Sequence, residues 1–202
     1  FISYALASAI IPYVASADKK QIANYISKSI FYSLLTAIPI TIILIIYAKQ
    51  FMYLIYNTTI GSENVTKYCI FFIFYYIQAP LVSIMQATNH SKKLLTIIAI
   101  NDILKLILIF SLPFVIKDSL MIAFIIPLIF ISISLLVFLY NKYKFKFTSN
   151  EIMNLIIISV ITIIFSIIVK VGNLNYLLAT LLILIVFFLS TYILNVFRFR
   201  NV

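Results

Sequence analysis

Asp102 and Lys105 stand where ionisable residues are costly. They interrupt an otherwise apolar stretch from 94 to 116, and a spacing of three puts both on one face of a helix, close enough to interact. At about 1.5 Å of rise per residue, Lys105 lies ~18 Å beyond Lys93, too deep for its stem to carry the ammonium comfortably back to the surface. Charges at that depth cost roughly 2.5 to 3.5 kcal/mol each on insertion scales, and they face a bundle interior or a wet cavity. The pair is therefore a candidate for a substrate or ion pathway. A purely structural ion pair is the other reading.

Little else in the chain could do chemistry. The acids are Asp18, Glu63, Asp102, Asp118 and Glu151, and all but Asp102 fall in or beside loops. His90 is the single histidine, in the turn TNHSKK, and reads as a solvated inner-loop residue. Neither a two-histidine metal site nor a histidine and carboxylate relay can be assembled from its neighbours. Cys69 has no partner cysteine for a disulfide and reads as a small packing residue. The expectation is no catalytic residue, no metal and no cofactor, and the chain does not read as an enzyme.

The elements that must position Asp102 and Lys105 follow from composition. Of 202 residues, 64% are hydrophobic and 10% charged, with a mean hydropathy of +1.18, whereas a soluble domain is about a quarter charged. Residues 29–48, 68–89, 119–141, 152–169 and 171–197 carry no charge, and each run is near the ~20 residues that span hydrocarbon. With 94–116 they make six spans. Lipid offers the backbone no partners, so a span is a helix or a strand of a closed barrel. Continuous apolar runs exclude the barrel's alternation. The fold expected is all-α, a polytopic transmembrane helix bundle: residues 1–17 end a preceding helix, 18–141 hold four spans, and 142–202 hold two, at about 152–170 and 174–197. The chain opens at Phe1 inside an apolar stretch and reads as a fragment.

The net charge of +10 does not indicate nucleic acid, because a groove binder needs its basic residues on a water-exposed face. Here they fall between spans. Lys19, Lys20, Lys28, Lys92, Lys93, Lys142, Lys144, Lys146, Arg198 and Arg200 lie in one alternating set; Lys49, Lys67, Lys117 and Lys170 lie in the other. The richer set is cytoplasmic by the positive-inside rule, which also puts the C-terminus inside. Lys92, Lys93 and the cationic, aromatic segment holding Lys142, Lys144 and Lys146 suit anionic headgroups of the inner face. In the outer connection 49–67, the aromatic first half suits an interfacial segment. Pro39, Pro80, Pro113 and Pro127 each remove a backbone donor and are candidates to kink their helices, and broken helices line transport sites in many carriers.

The order of features resembles a known family. ALASAIIPYVASADKK is followed by the basic connector QIANYISKSI, the proline-centred LLTAIPITIILIIYA, an outer FMYLIYN, LVSIMQATNHSKKLL and a span with ILKLILIF. This is similar to the C-terminal half of polysaccharide flippases of the multidrug, oligosaccharidyl-lipid and polysaccharide exporter superfamily, especially the stage V sporulation protein B type and its lipid II flippase relatives. Ala5, Leu6, Ala9, Pro12, Pro39, Gln86 and Ala87 match the family's pattern, and Lys105 falls where such flippases often place a lysine. The usual glycines after Gln86 are replaced by Thr88 and Asn89. The likeness covers residues 1 to about 145.

That resemblance implies about fourteen helices in two lobes, which rock to carry a lipid-linked oligosaccharide across the cytoplasmic membrane. This chain would hold the end of helix 8 and helices 9 to 14. The partners implied are membrane lipids, an anionic lipid-linked sugar and a missing N-terminal half. A cation-coupled multidrug exporter is the alternative within the superfamily, although Lys105 beside Asp102 argues against it. A non-transporting membrane scaffold is the alternative outside it.

Overall fold

Backbone groups that cannot bond to water bond within their own segment, and every regular element described is a helix. The computed structural model describes residues 2–114, 119–172, 174–194 and 196. Lys117, Asp118, Arg198, Arg200 and the expected span ends at 116 and 197 lie outside them. In chain order the helices are α1 (Ile2–Ala15), α2 (Lys19–Tyr56), α3 (Ser62–Tyr68), α4 (Phe72–Ala87), α5 (Ser91–Ser111), α6 (Ser119–Tyr143), α7 (Ser149–Val171) and α8 (Tyr176–Ile193). Single 3-10 turns stand at Cys69–Phe71 and Leu112–Phe114. Among the described residues six stretches are long and apolar enough to cross a membrane, with α3 and α4 running together as Ser62–Ala87. The chain is an all-α, multi-pass membrane helix bundle.

It divides into two compact units. The first comprises Phe1–Leu34 and Phe71–Lys146, with α4 packed on α1, α5 and α6. Its core is made by helical spacing: Ile22, Ile26 and Ile30 of α2, Ile77, Leu81, Ile84 and Met85 of α4, Leu94 and Ile97 of α5, and Ile131, Leu135 and Leu139 of α6. Side chains three and four apart share a helix face, so each run presents one apolar stripe inward. The outward faces are apolar too, as hydrocarbon contact allows.

Hydroxyls tie this unit together where proline opens a helix. Pro80 lies inside α4 and lacks the N–H that would bond to the Tyr76 carbonyl. Ser3 of α1 takes the vacancy, its Oγ donating to that carbonyl at 2.5 Å. At the neighbouring positions, Tyr4 and Tyr75 join hydroxyls at 2.9 Å. From the other side, Ser132 of α6 donates to the Phe74 carbonyl at 3.1 Å. Ser3→Ala strands a carbonyl in a medium without water, and we expect it to lower stability by about 1.5 kcal/mol, near the upper end for interhelical bonds in membranes. Thermal unfolding in nanodiscs checks this; an unchanged transition would show that another donor reaches Tyr76.

The second unit comprises Leu35–Ile70 and Phe147–Val202. Helices α7 and α8 pack together, burying Ile158, Thr162, Ser166 and Val169 of α7 and Ala179, Ile183, Phe187 and Ser190 of α8. Small residues let two helices approach closely in lipid. Thr162 and Ser166 satisfy their hydroxyls on the Ile158 and Ile163 carbonyls of their own helix. Helix α7 starts at a full capping box, Thr148 with Glu151, and α8 starts under the Asn175 side chain.

Two proline positions differ from expectation. Helix α2 breaks at Tyr47 (φ −114°, ψ 23°), two turns beyond Pro39, which sits buried in continuous helix. Pro113 lies in the 3-10 turn after α5, so it stands at the end of that helix rather than bending it: a proline has no N–H with which to continue the ladder, while Leu112 before it stays right-handed at φ −67°, ψ −33°. Pro80 and Pro127 are internal to α4 and α6. The basic connector and the first half of the 49–67 segment are also helical, both being parts of α2.

Candidate functional site

Helices α5 and α6 of the first unit pack side by side, and two contacts fix their antiparallel register. Lys105 Nζ lies 4.4 Å from the centre of the Phe124 ring, and His90 meets Phe138 and Tyr143. Interpolating, Asn101 stands level with the Pro127 turn of α6. Pro127 deprives the Ala123 carbonyl of its helical donor, and Ala123 is fully buried. Asn101 is itself buried, at 8% exposure, and its Oδ1 has no hydrogen-bond partner. A buried acceptor without a donor is costly and calls for an explanation.

Asp102 and Lys105 do not pair. Asp102 is exposed and Lys105, half-buried, spends its charge on the face of Phe124, a cation–π contact that is stronger where water is scarce. Among the described residues neither has an ion-pair partner. The expectation that spacing would bring them together fails because Lys105 turns toward α6. The α5–α6 contact therefore holds one cation, Lys105, and two kinds of acceptor, the Asn101 amide oxygen and the proline-freed Ala123 carbonyl, while the Asp102 carboxylate lies on the exposed face. Asn101 escaped the sequence reading, although it continues the face of Leu94 and Ile97 at helical spacing, and a polar side chain on such a face is the available signal.

A second polar set closes the water-side end of the same helix pair. Helix α4 ends in a Schellman motif: His90 N–H bonds to the Met85 carbonyl at 2.9 Å and Asn89 N–H to the Gln86 carbonyl at 3.2 Å, with Asn89 left-handed at φ 60°. Glycine is usual at that position and asparagine is the common substitute, so Asn89 ends the helix without a glycine. Asn89→Val should destabilise by about 1 to 2 kcal/mol through the left-handed penalty, while Asn89→Gly should be neutral or better; paired thermal melts check the contrast.

His90 is consequently no solvated loop residue. It is half-buried and precedes the first turn of α5. Lys142, in the last turn of α6, hydrogen-bonds to its Nε2, and Thr88 Oγ1 lies 2.9 Å from its Nδ1. Lysine can only donate, so Nε2 accepts and Nδ1 carries the proton toward Thr88, whose hydroxyl donates in turn to the Ile84 carbonyl at 2.7 Å. Burial, followed by the nearby Lys142 charge, pulls the imidazole below its usual pKa, partly opposed by hydrogen bonding at Thr88. Of the other candidate headgroup lysines, Lys92 and Lys93 are exposed in the first turn of α5, and Lys146 is exposed beyond α6. Lys144 is left-handed at φ 53° and lies 5.2 Å from the Tyr140 ring centre.

Among the described residues no cluster of three or more His, Cys, Asp or Glu could hold a metal ion. No protein-family model matches the chain. A stretch of 116 residues, 55% of the chain, is 28% identical to stage V sporulation protein B of Bacillus subtilis (strain 168). The match spans 22% of that relative's length. The chain is thus a multi-pass membrane helix bundle that is similar, over about half of its length, to one part of a longer sporulation protein.

Proposed function

We propose that the chain belongs to a membrane transporter, a flippase that moves a lipid-linked oligosaccharide or polysaccharide precursor across the cytoplasmic membrane by alternating access. The observation that carries this reading is Lys105, an ammonium inside an apolar span that has no carboxylate partner among the described residues. A structural ion pair would have neutralised it; an unpaired cation at that depth is suited to attract an anionic headgroup such as a pyrophosphate. The motif order shared with polysaccharide flippases and the similarity to the sporulation protein support it. In this reading the amphipathic first loop and the C-terminus are cytoplasmic, and Lys92, Lys93, Lys142, Lys144 and Lys146 meet headgroups there.

One observation favours the exporter instead. Because Lys105 lies on Phe124, Asp102 is an acid in an apolar span without a cationic partner among the described residues. The deciding experiment is reconstitution of the full reading frame in liposomes, assayed for transfer of a fluorescent polyprenyl-pyrophosphate oligosaccharide and, in parallel, for uptake of a cationic dye against a sodium or proton gradient. Transfer of the lipid-linked sugar supports the flippase; dye movement alone supports the exporter; neither, with stable co-purification of other membrane proteins, supports a scaffold.

A further inference from the structure

We propose that Thr88, His90 and Lys142 form a proton-gated site for a phosphate-bearing anion at the water-side end of the α5–α6 pair. The inference is independent of what the protein transports.

The geometry begins with an odd pairing. Lys142 opens a run of three lysines with Lys144 and Lys146, yet it bonds to a neutral imidazole rather than a carboxylate. The chain of donors has one direction: Lys142 to His90 Nε2, His90 Nδ1 to Thr88, Thr88 to the Ile84 carbonyl. That arrangement exists only while Nε2 has a free lone pair. The contact ties the turn between α4 and α5 to the last turn of α6, and the rings of Phe138 and Tyr143 hold the imidazole edge-on from the α6 side.

When His90 takes a proton, it lands on Nε2, the atom that Lys142 occupies. Two cations then face each other, the bond is lost, and both groups become donors. An anion with several acceptor oxygens can lie between them and accept from both, as phosphate does with charge-assisted donors. The other charged or titratable groups on the surrounding elements are Tyr140 and Tyr143 of α6, Lys92 and Lys93 of α5, Lys144 and Lys146 beyond α6, and Lys19, Lys20 and Tyr25 at the start of α2 with Asp18 just before it; α4 brings none in its last turn. All the charged ones except Asp18 are cationic and favour the anion.

The sign follows from linkage. The closed bond is at full strength above the ordinary histidine value of about 6.5, and it is lost as pH falls through the lowered value of the folded protein. An anion that binds only the protonated form must raise that value in return, because coupling is reciprocal. The phosphate could come from an anionic lipid or from solution.

The test follows the His90 imidazole by NMR in the full chain in nanodiscs, its signal assigned by loss in His90→Gln. In phosphatidylcholine alone the titration midpoint should fall below the ordinary value, and Lys142→Gln should raise it. With about one-third phosphatidylglycerol, the wild-type midpoint should rise by about one unit, and that of Lys142→Gln should rise by clearly less. A response to inorganic phosphate alone would make free phosphate the ligand. A midpoint indifferent to both anions overturns the proposal. So does an equal rise in wild type and Lys142→Gln, since a general surface potential acts on both alike.

Discussion

If the chain serves a flippase, Lys105→Gln should lower translocation of a lipid-linked sugar by about tenfold to a hundredfold, with normal insertion, while Lys105→Arg should keep most of the rate. The loss corresponds to about 1.4 to 2.7 kcal/mol of stabilisation of the crossing state. Removing a mid-membrane charge makes insertion easier by the insertion scales, so a drop in transport cannot be laid to poorer membrane entry. Nor does it break an ion pair, because Asp102 is not the partner of Lys105. What is lost is a cation–π contact with Phe124, worth about 1 to 2 kcal/mol where desolvated, and the attraction for an anionic group. Phe124→Leu separates the two contributions: it removes the ring and keeps the charge, and it should retain more activity than Lys105→Gln. Asp102→Asn divides the transport readings, being mild in a flippase and severe in a cation-coupled exporter. Were the double Asn and Gln replacement to insert normally and transport at the wild-type rate, the pathway role of both residues would be lost.

Leu81→Ala carries the largest expected stability loss, about 2 to 5 kcal/mol. Leu81 is fully buried on α4 beside Pro80, within the cluster that joins α2, α4, α5 and α6. In lipid, helix association rests on packing rather than on escape from water, so the cavity and its lost dispersion contacts dominate the cost. Leu81→Met, which preserves volume, should lose less than about 1.5 kcal/mol. Chemical unfolding in mixed micelles would rank the two; equal losses would place the cost outside packing.

The helical, membrane-crossing character was legible from spacing of charges alone, because a charge-free run of bilayer length leaves a backbone few alternatives. What escaped was every feature set by a side chain's direction. Asp102 and Lys105 share a helix face by count, yet the rotamer of Lys105 carries it to Phe124. His90 was read from its loop position, and its partners Phe138, Lys142 and Tyr143 all lie far along the chain. Ser3 looked unremarkable until Pro80 exposed the carbonyl that it serves. Proline reports a missing donor reliably and a bend poorly: Pro39 stays in continuous helix, whereas the break falls at Tyr47, where no local residue type announces it. The capping box of α7 also went unread, although Thr148 and Glu151 have the spacing that two reciprocal bonds require.

That break gives α2 a tolerance for bilayer thickness. An unbroken helix of 38 residues would be about 57 Å long, nearly twice the hydrocarbon depth. Beyond Tyr47 the helix carries the exposed Tyr53, Leu54, Ile55 and Tyr56, a composition suited to the headgroup boundary. A joint at that depth lets the aromatic end keep its level when the membrane thickens or thins, by opening or folding at Tyr47, where a straight rod would have to tilt along its whole length.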